Sequence, residues 1–122
     1  MKRTAIALAL ALLAGPALAE QMAVIETNGI LTDANGMTLY TFDKDADGAS
    51  ACYDECAALW PPLMAAADAK ADGALGLTAR KDGAMQWTYD GKPLYLWAKD
   101  AKPGDTTGDG VKGVWHTAKT KN

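Results

Sequence analysis

The pattern of apolar and polar positions changes character three times along the chain. Lys2 and Arg3 are followed by an unbroken apolar run over 5–14. Beyond residue 20 the apolar positions become short and alternating. Met85-Gln86-Trp87-Thr88-Tyr89 alternates bulky and polar side chains, the period of a strand with one face buried. Similar short runs rich in aromatic and branched residues occupy 37–42, 93–97 and 114–117. Turn dipeptides stand between them, Asn35-Gly36, Asp82-Gly83 and Asp90-Gly91, of the kind that joins antiparallel strands. The spacing predicts a hairpin over 85–97 and one short helix over 53–59, stopped by Pro61-Pro62. The alanine-rich stretch 65–73 reads as a linker.

Sliding the chain along itself by 55 residues places Gly36, Leu39, Tyr40, Lys44, Asp45, Asp54 and Trp60 on Gly91, Leu94, Tyr95, Lys99, Asp100, Asp109 and Trp115. Phe42 meets Trp97, another aromatic. This is an internal repeat, with one copy over about 25–64 and the other over about 78–118. Two copies are too few for a solenoid, and neither can bury its aromatic face alone. The expected solution is a mainly β fold: a small antiparallel sandwich or partly closed barrel formed by two pseudo-symmetric repeats around a shared core.

Leu39-Tyr40-Thr41-Phe42-Asp43-Lys44-Asp45 and Leu94-Tyr95-Leu96-Trp97-Ala98-Lys99-Asp100 each carry Tyr-x-aromatic-x-x-Asp. With Ser50-x-Cys52-x-x-x-Cys56-Ala57, Trp60-Pro61-Pro62-Leu63, Gln86-Trp87-x-Tyr89-x-Gly91-x-Pro93-Leu94-Tyr95, Gly104-Asp105-x-x-Gly108-Asp109-Gly110 and Trp115-His116, they resemble the bacterial secreted-repeat family described as predicted lipoproteins with a Yx(F/W/Y)xxD motif. The resemblance spans nearly all of the chain beyond the N-terminal run and implies little about activity. Many members of that family begin with a lipid-modified cysteine. This chain has Ala19-Glu20 at the equivalent junction, so a lipid anchor does not carry over.

The positive start, short apolar run, Gly15-Pro16 break and Ala17-Leu18-Ala19 are the layout of a secretory signal peptide. The run is shorter than the roughly 20 apolar residues that a spanning helix needs. Cleavage is expected after Ala19, leaving 20–122 as one exported domain in the periplasm or outside the cell, with no membrane insertion. Removing Lys2 and Arg3 makes the chain more acidic than its full-length net charge of −3, which argues against nucleic-acid binding, a task for clustered Lys and Arg. The two cysteines, Cys52 and Cys56, are expected to pair in an oxidising compartment. A redox dithiol is the competing reading, but such pairs usually have two intervening residues rather than three.

Candidate chemistry is sparse. Tyr40 with Phe42, and Tyr95 with Trp97, share strand faces and, with Trp60 and Trp115, could line a groove or fill a core. Asp45 and Asp100 are placed to accept N–H groups of the loops that follow them, which fixes those turns. Asp43-x-Asp45-x-Asp47-Gly48, with Asp54 at the twelfth position, resembles the start of a calcium loop. A preceding strand in place of a helix, an Asp where a bidentate Glu is expected and Ser50 at the usual apolar position all count against it. The acidic, glycine-rich loop over 105–110 reads as a long turn or as a ligand-binding loop. His116 is the only histidine, so no multi-histidine zinc site can form within one chain. It could ligate copper or haem iron with a methionine such as Met22, Met37, Met64 or Met85, though no ligand spacing supports this. The function expected is a non-enzymatic binding or accessory module of the envelope, without a bound cofactor, contacting an envelope protein or a small ligand. The competing class is a metal- or redox-cofactor-associated protein of envelope electron transfer.

Overall fold

The computed structural model describes residues 23–120; the expected signal peptide and its cleavage point lie outside them. The chain is mainly β. Its elements run β1 (Ile25–Thr27), β2 (Ile30–Thr32), β3 (Tyr40–Phe42), α1 (Glu55–Leu59), β4 (Met64–Ala65), β5 (Leu75–Ala79), β6 (Met85–Tyr89), β7 (Lys92–Pro93), a 3-10 turn (Val111–Gly113) and β8 (Trp115–Thr117). β1 pairs with β2, β3 with β8, and β6 carries β4, β5 and β7, every pairing antiparallel. These sheets do not close into a barrel, so the layered, sandwich-like form is the one the topology fits.

The expected hairpin forms but ends early. Its pairing reaches Thr88↔Pro93, after which Tyr95 leaves β6 to bridge Tyr40 and Pro62. The helix begins at Glu55 rather than Tyr53 because Asp54 sits at φ 55, outside the helical region. Two hairpins escaped the sequence pattern. β1–β2 turns at Asn28-Gly29, both at positive φ, a dipeptide suited to a tight turn. β5 reads Leu-Gly-Leu-Thr-Ala, and its glycine and small residues hide the alternation. Gly76 is required there, because a Cβ would lie 2.8 Å from Thr88 Oγ1.

The repeat becomes a pseudo-two-fold axis through one residue pair. Tyr40 N–H donates to Tyr95 O at 2.8 Å, and Tyr95 N–H donates to Tyr40 O at 2.9 Å. Around this pair the backbone bonds recur in both halves. Asp43 N to Val114 O and Ala98 N to Leu59 O are both 2.8 Å. Ala118 N to Leu39 O is 2.8 Å and Leu63 N to Leu94 O is 2.9 Å. Each repeat therefore gives its last strand to the other: β8 lies on β3 of the first repeat, while Pro62 and β4 lie on Tyr95 and β6 of the second. Folding of either half requires the other.

Alternation across the Tyr40–Tyr95 pair sends successive side chains to opposite faces. Leu39 and Leu94 pack on one face with Leu31 and Ala118, joined by Leu63, Trp87 and Leu96. Tyr40 and Tyr95 pack on the other with Trp60, Trp115 and Cys52, joined by Phe42, Cys56 and Trp97. Cys52 and Cys56 form a disulfide with Cα atoms 5.2 Å apart, pinning α1 to the aromatic layer. Thiol labelling of the denatured, unreduced protein should find no free cysteine. Replacing both by Ala should cost about 2 kcal/mol from loop entropy alone, read as a shift in the denaturation midpoint.

Candidate functional site

The aromatic layer is built from two strand–loop units that meet ring to ring. Phe42 stacks on Trp115 at 4.0 Å, Trp115 on Trp60 at 3.8 Å with planes 2° apart, and Trp60 on Trp97 at 3.9 Å. The pseudo-axis passes between the two central indoles. Tyr40 meets Trp60 edge-on at 5.4 Å and Tyr95 meets Trp115 edge-on at 5.2 Å. Trp60 and Trp115 are both buried, whereas Phe42 and Trp97 are half-buried at the ends. These six aromatic positions of the repeat therefore form the core, and no groove opens between them.

Asp45 and Asp100 do accept loop N–H groups as expected, from Ala51 at 2.7 Å and Thr107 at 3.0 Å. Their second oxygens do something the sequence did not disclose. Tyr40 hydroxyl donates to Asp100 Oδ2, and Tyr95 hydroxyl to Asp45 Oδ2, both at 2.7 Å. The tyrosine of each repeat thus binds the aspartate of the other. Burial is the main cause that pushes both phenols well above the ordinary tyrosine range, and the carboxylates add to it. Burial also raises the Asp45 carboxyl, against the pull of Tyr95, the Ala51 amide and Arg80.

Repeat 1 carries an added polar network that sequence reading missed. Arg80 is buried beneath Tyr53, 4.2 Å from the ring centroid. Its guanidinium donates to Ser50 Oγ at 3.1 Å, Gln86 Oε1 at 2.8 Å and Cys52 O at 2.7 Å. Ser50 Oγ in turn lies 2.7 Å from the Tyr95 hydroxyl. The available signal was an Arg flanking strand β5, but nothing in one sequence distinguishes a buried Arg from a solvated one.

The candidate cation ligands scatter. Asp45 spends both oxygens on Tyr95 and Ala51. Asp47 sits at φ 57 in the turn closed by Ala49 N to Ala46 O. Asp54 precedes α1 without a side-chain cap bond. Asp109, its counterpart by alignment, instead accepts Thr117 N–H at 3.0 Å, so that identity does not reflect a shared role. Among the described residues no three His, Cys, Asp or Glu side chains gather as a metal would need. The loop over 105–110 is held by Asp105, which accepts from Ala101 and Lys102 N–H and from Lys102 Nζ. Those bonds, the Lys102 ammonium first, hold its carboxyl below the usual range.

Asp43 and His116 do come together. His116 Nε2 lies 2.8 Å from Asp43 Oδ2, both side chains exposed, across the β3–β8 register that sets Thr41 opposite His116. They line an open hollow of about 520 Å³ together with Lys92, Asp109 and Lys119. The pseudo-symmetry supplies an internal comparison. At the places equivalent to Thr41, Asp43, His116, Lys92 and Lys119, the other half carries Leu96, Ala98, Pro61, Met37 and Met64. The fold accepts apolar residues there, so the polar set is not needed to build the domain.

The family model described as a secreted repeat of unknown function matches residues 22–64 and again 76–119, the same two copies that the backbone bonds delimit. No curated protein and no solved structure matches the chain. No helix among the described residues is long and apolar enough to cross a membrane.

Proposed function

The chain belongs to the secreted-repeat family, and from that premise we propose that it is an exported, non-enzymatic binding module of the bacterial envelope whose contact surface is the hollow around Asp43 and His116. One observation carries this reading. The shared Tyr40, Asp45, Tyr95 and Asp100 are consumed in holding the halves together, whereas Asp43, Lys92, His116 and Lys119 of the hollow have no polar counterpart in the other half. Residues that the architecture does not require are the ones free to serve recognition. The hollow offers donors and acceptors of both charge signs, Lys92 and Lys119 beside Asp43 and Asp109, which suits a polar partner surface or a small polar ligand.

Photo-crosslinking in the native host tests this. A crosslinking side chain at Lys92 or Lys119, irradiated in intact cells, should give one discrete adduct of protein or ligand mass. The adduct should weaken in the Asp43→Ala, His116→Ala background. The same group at exposed Lys81 serves as the control. Equal yields from all three positions, or none from the hollow, would sink the assignment.

A further inference from the structure

The ring stack and the crossed tyrosine–aspartate pairs occupy one layer and touch each other there. Aromatic pairs commonly settle edge to face or offset. Here three indoles, Trp115, Trp60 and Trp97, lie face to face with centroids 3.8 and 3.9 Å apart. Direct overlap of π faces is the arrangement that best couples two rings for electron exchange. Each buried tyrosine then touches one central indole by its edge and donates its hydroxyl hydrogen bond to a carboxylate at 2.7 Å.

We propose that the tryptophan stack and its two tyrosine–aspartate pairs form a one-electron relay. It carries an oxidising equivalent, delivered at half-buried Trp97 by an oxygen-derived radical, inward to Tyr40 or Tyr95. The radical takes one electron from the Trp97 indole and is itself reduced. Trp60 and Trp115 share the resulting hole by passing an electron outward along the stack. A tyrosine fills the hole with one electron from its phenol, and its proton moves to the hydrogen-bonded carboxylate. The products are three neutral indoles, a neutral tyrosyl radical and a protonated aspartate.

The charges around the stack favour this direction. Lys99 Nζ lies 5.9 Å from the Trp97 ring centroid, so a positive hole is repelled from the entry end. Asp100 and Asp45 stand at the inner end as proton acceptors. Burial resists ionisation of both phenols, so electron loss has to be joined to proton loss, and the acceptor is already hydrogen-bonded. Around Tyr95, Arg80 donates to Ser50 Oγ, which lies 2.7 Å from the Tyr95 hydroxyl, and that hydroxyl donates to Asp45, so the phenol proton already faces the carboxylate.

Pulse radiolysis of the full exported chain with azide radical, a tryptophan-selective oxidant, tests the proposal. The starting protein carries Trp87→Phe, Tyr53→Phe and Tyr89→Phe. These changes remove the tryptophan of the aliphatic layer and the two tyrosines outside the pairs, so the only remaining tyrosines are Tyr40 and Tyr95. The tryptophanyl signal should decay as a tyrosyl signal rises at the same rate, and that rate should fall in heavy water. Asp45→Asn and Asp100→Asn keep the side-chain shape but accept a proton poorly; together they should slow the step by about tenfold or more. If the tryptophanyl radical decays without a tyrosyl signal in this protein, the relay does not exist. The relay is equally overturned if the rate is unchanged by both Asn substitutions while near-ultraviolet circular dichroism shows the stack intact. Should the triple background fail to fold, the wild-type chain and its Tyr40→Phe, Tyr95→Phe variant replace it. There, equal tryptophanyl decay rates overturn the proposal.

Discussion

Trp60→Ala and Trp115→Ala are each expected to destabilise the chain by about 3–5 kcal/mol, the range for emptying a large buried aromatic site. Either change removes one of the two central rings, which stack on each other at 3.8 Å. Loss of Trp60 also strips one face from Trp97 and an edge contact from Tyr40; loss of Trp115 does the same to Phe42 and Tyr95. Because the pseudo-axis relates the two sites, the two losses should agree closely. A domain of this size holds about 5–15 kcal/mol in all, so each variant should lose a large part of its denaturation midpoint. Trp87→Ala, at a half-buried ring in the aliphatic layer, should cost clearly less. Equal losses at Trp87 and Trp60 would mean that the stack is not the centre of stability. Gly108 marks the same centre from the loop side: a Cβ there would meet Trp60 Cη2 at 2.8 Å and Trp97 Cγ at 3.0 Å.

How the sequence encodes this layer explains what could be read from it. The repeat and the Tyr-x-aromatic spacing were visible because burial of a strand face demands side chains of one kind at a fixed period. That requirement acts on both copies alike, so Trp60 and Trp115, or Leu39 and Leu94, sit at equal spacing. The partner of each buried group was not visible. The same spacing of Tyr40 and Asp45 would serve a bond within one repeat or between repeats. Only the exchange of last strands, β8 onto β3 and β4 onto β6, turns Tyr40 toward Asp100. The hairpins β1–β2 and β5–β6 stayed partly hidden for a different reason. Their strands are short or rich in small residues, and β2 is further tied by the bridge Ile30↔Lys119 to a part of the chain far away in sequence.

The same asymmetry between shared and unshared residues separates architecture from surface. Asp43 and His116 looked like candidates for a cation, and the structure places them side by side but, among the described residues, with no third ligand of the usual types. Their counterparts Ala98 and Pro61 show that the strand pairing there tolerates any side chain that fits. A pair of facing strands fixes only the direction in which position 116 points.

The crossed pairing gives the second large expected effect. Asp100→Ala would leave the buried Tyr40 hydroxyl without its acceptor, while the two donors of exposed Thr107 can turn to water. A stranded buried donor costs roughly 1–3 kcal/mol, so a loss of about 2 kcal/mol is expected, and Asp45→Ala should come close to it through Tyr95. Double-mutant cycles identify the partners. Tyr40→Phe with Asp100→Asn, and Tyr95→Phe with Asp45→Asn, should each show coupling of about 2 kcal/mol, as for a hydrogen bond to a charged group. Tyr40→Phe with Asp45→Asn, the pair within one repeat, should be additive. Coupling in that last cycle and none in the first two would show that the repeats fold on themselves rather than across each other. The pH dependence at Asp45 has a definite sign. Burial holds its carboxyl above the ordinary value, so the folded chain binds that proton more tightly than the unfolded chain does. The stability it contributes is therefore full below the unfolded value, about 3.9, and fades as the pH rises through the folded value. Asn at 45 cannot titrate. The difference in unfolding free energy, wild type minus Asp45→Asn, should accordingly move in favour of the wild type between pH 7 and about pH 4. Chemical denaturation of both proteins across that interval measures it. A difference that moves the other way would mean that Asp45 keeps its charge on acidification, held by Tyr95 and Arg80 more strongly than burial opposes it.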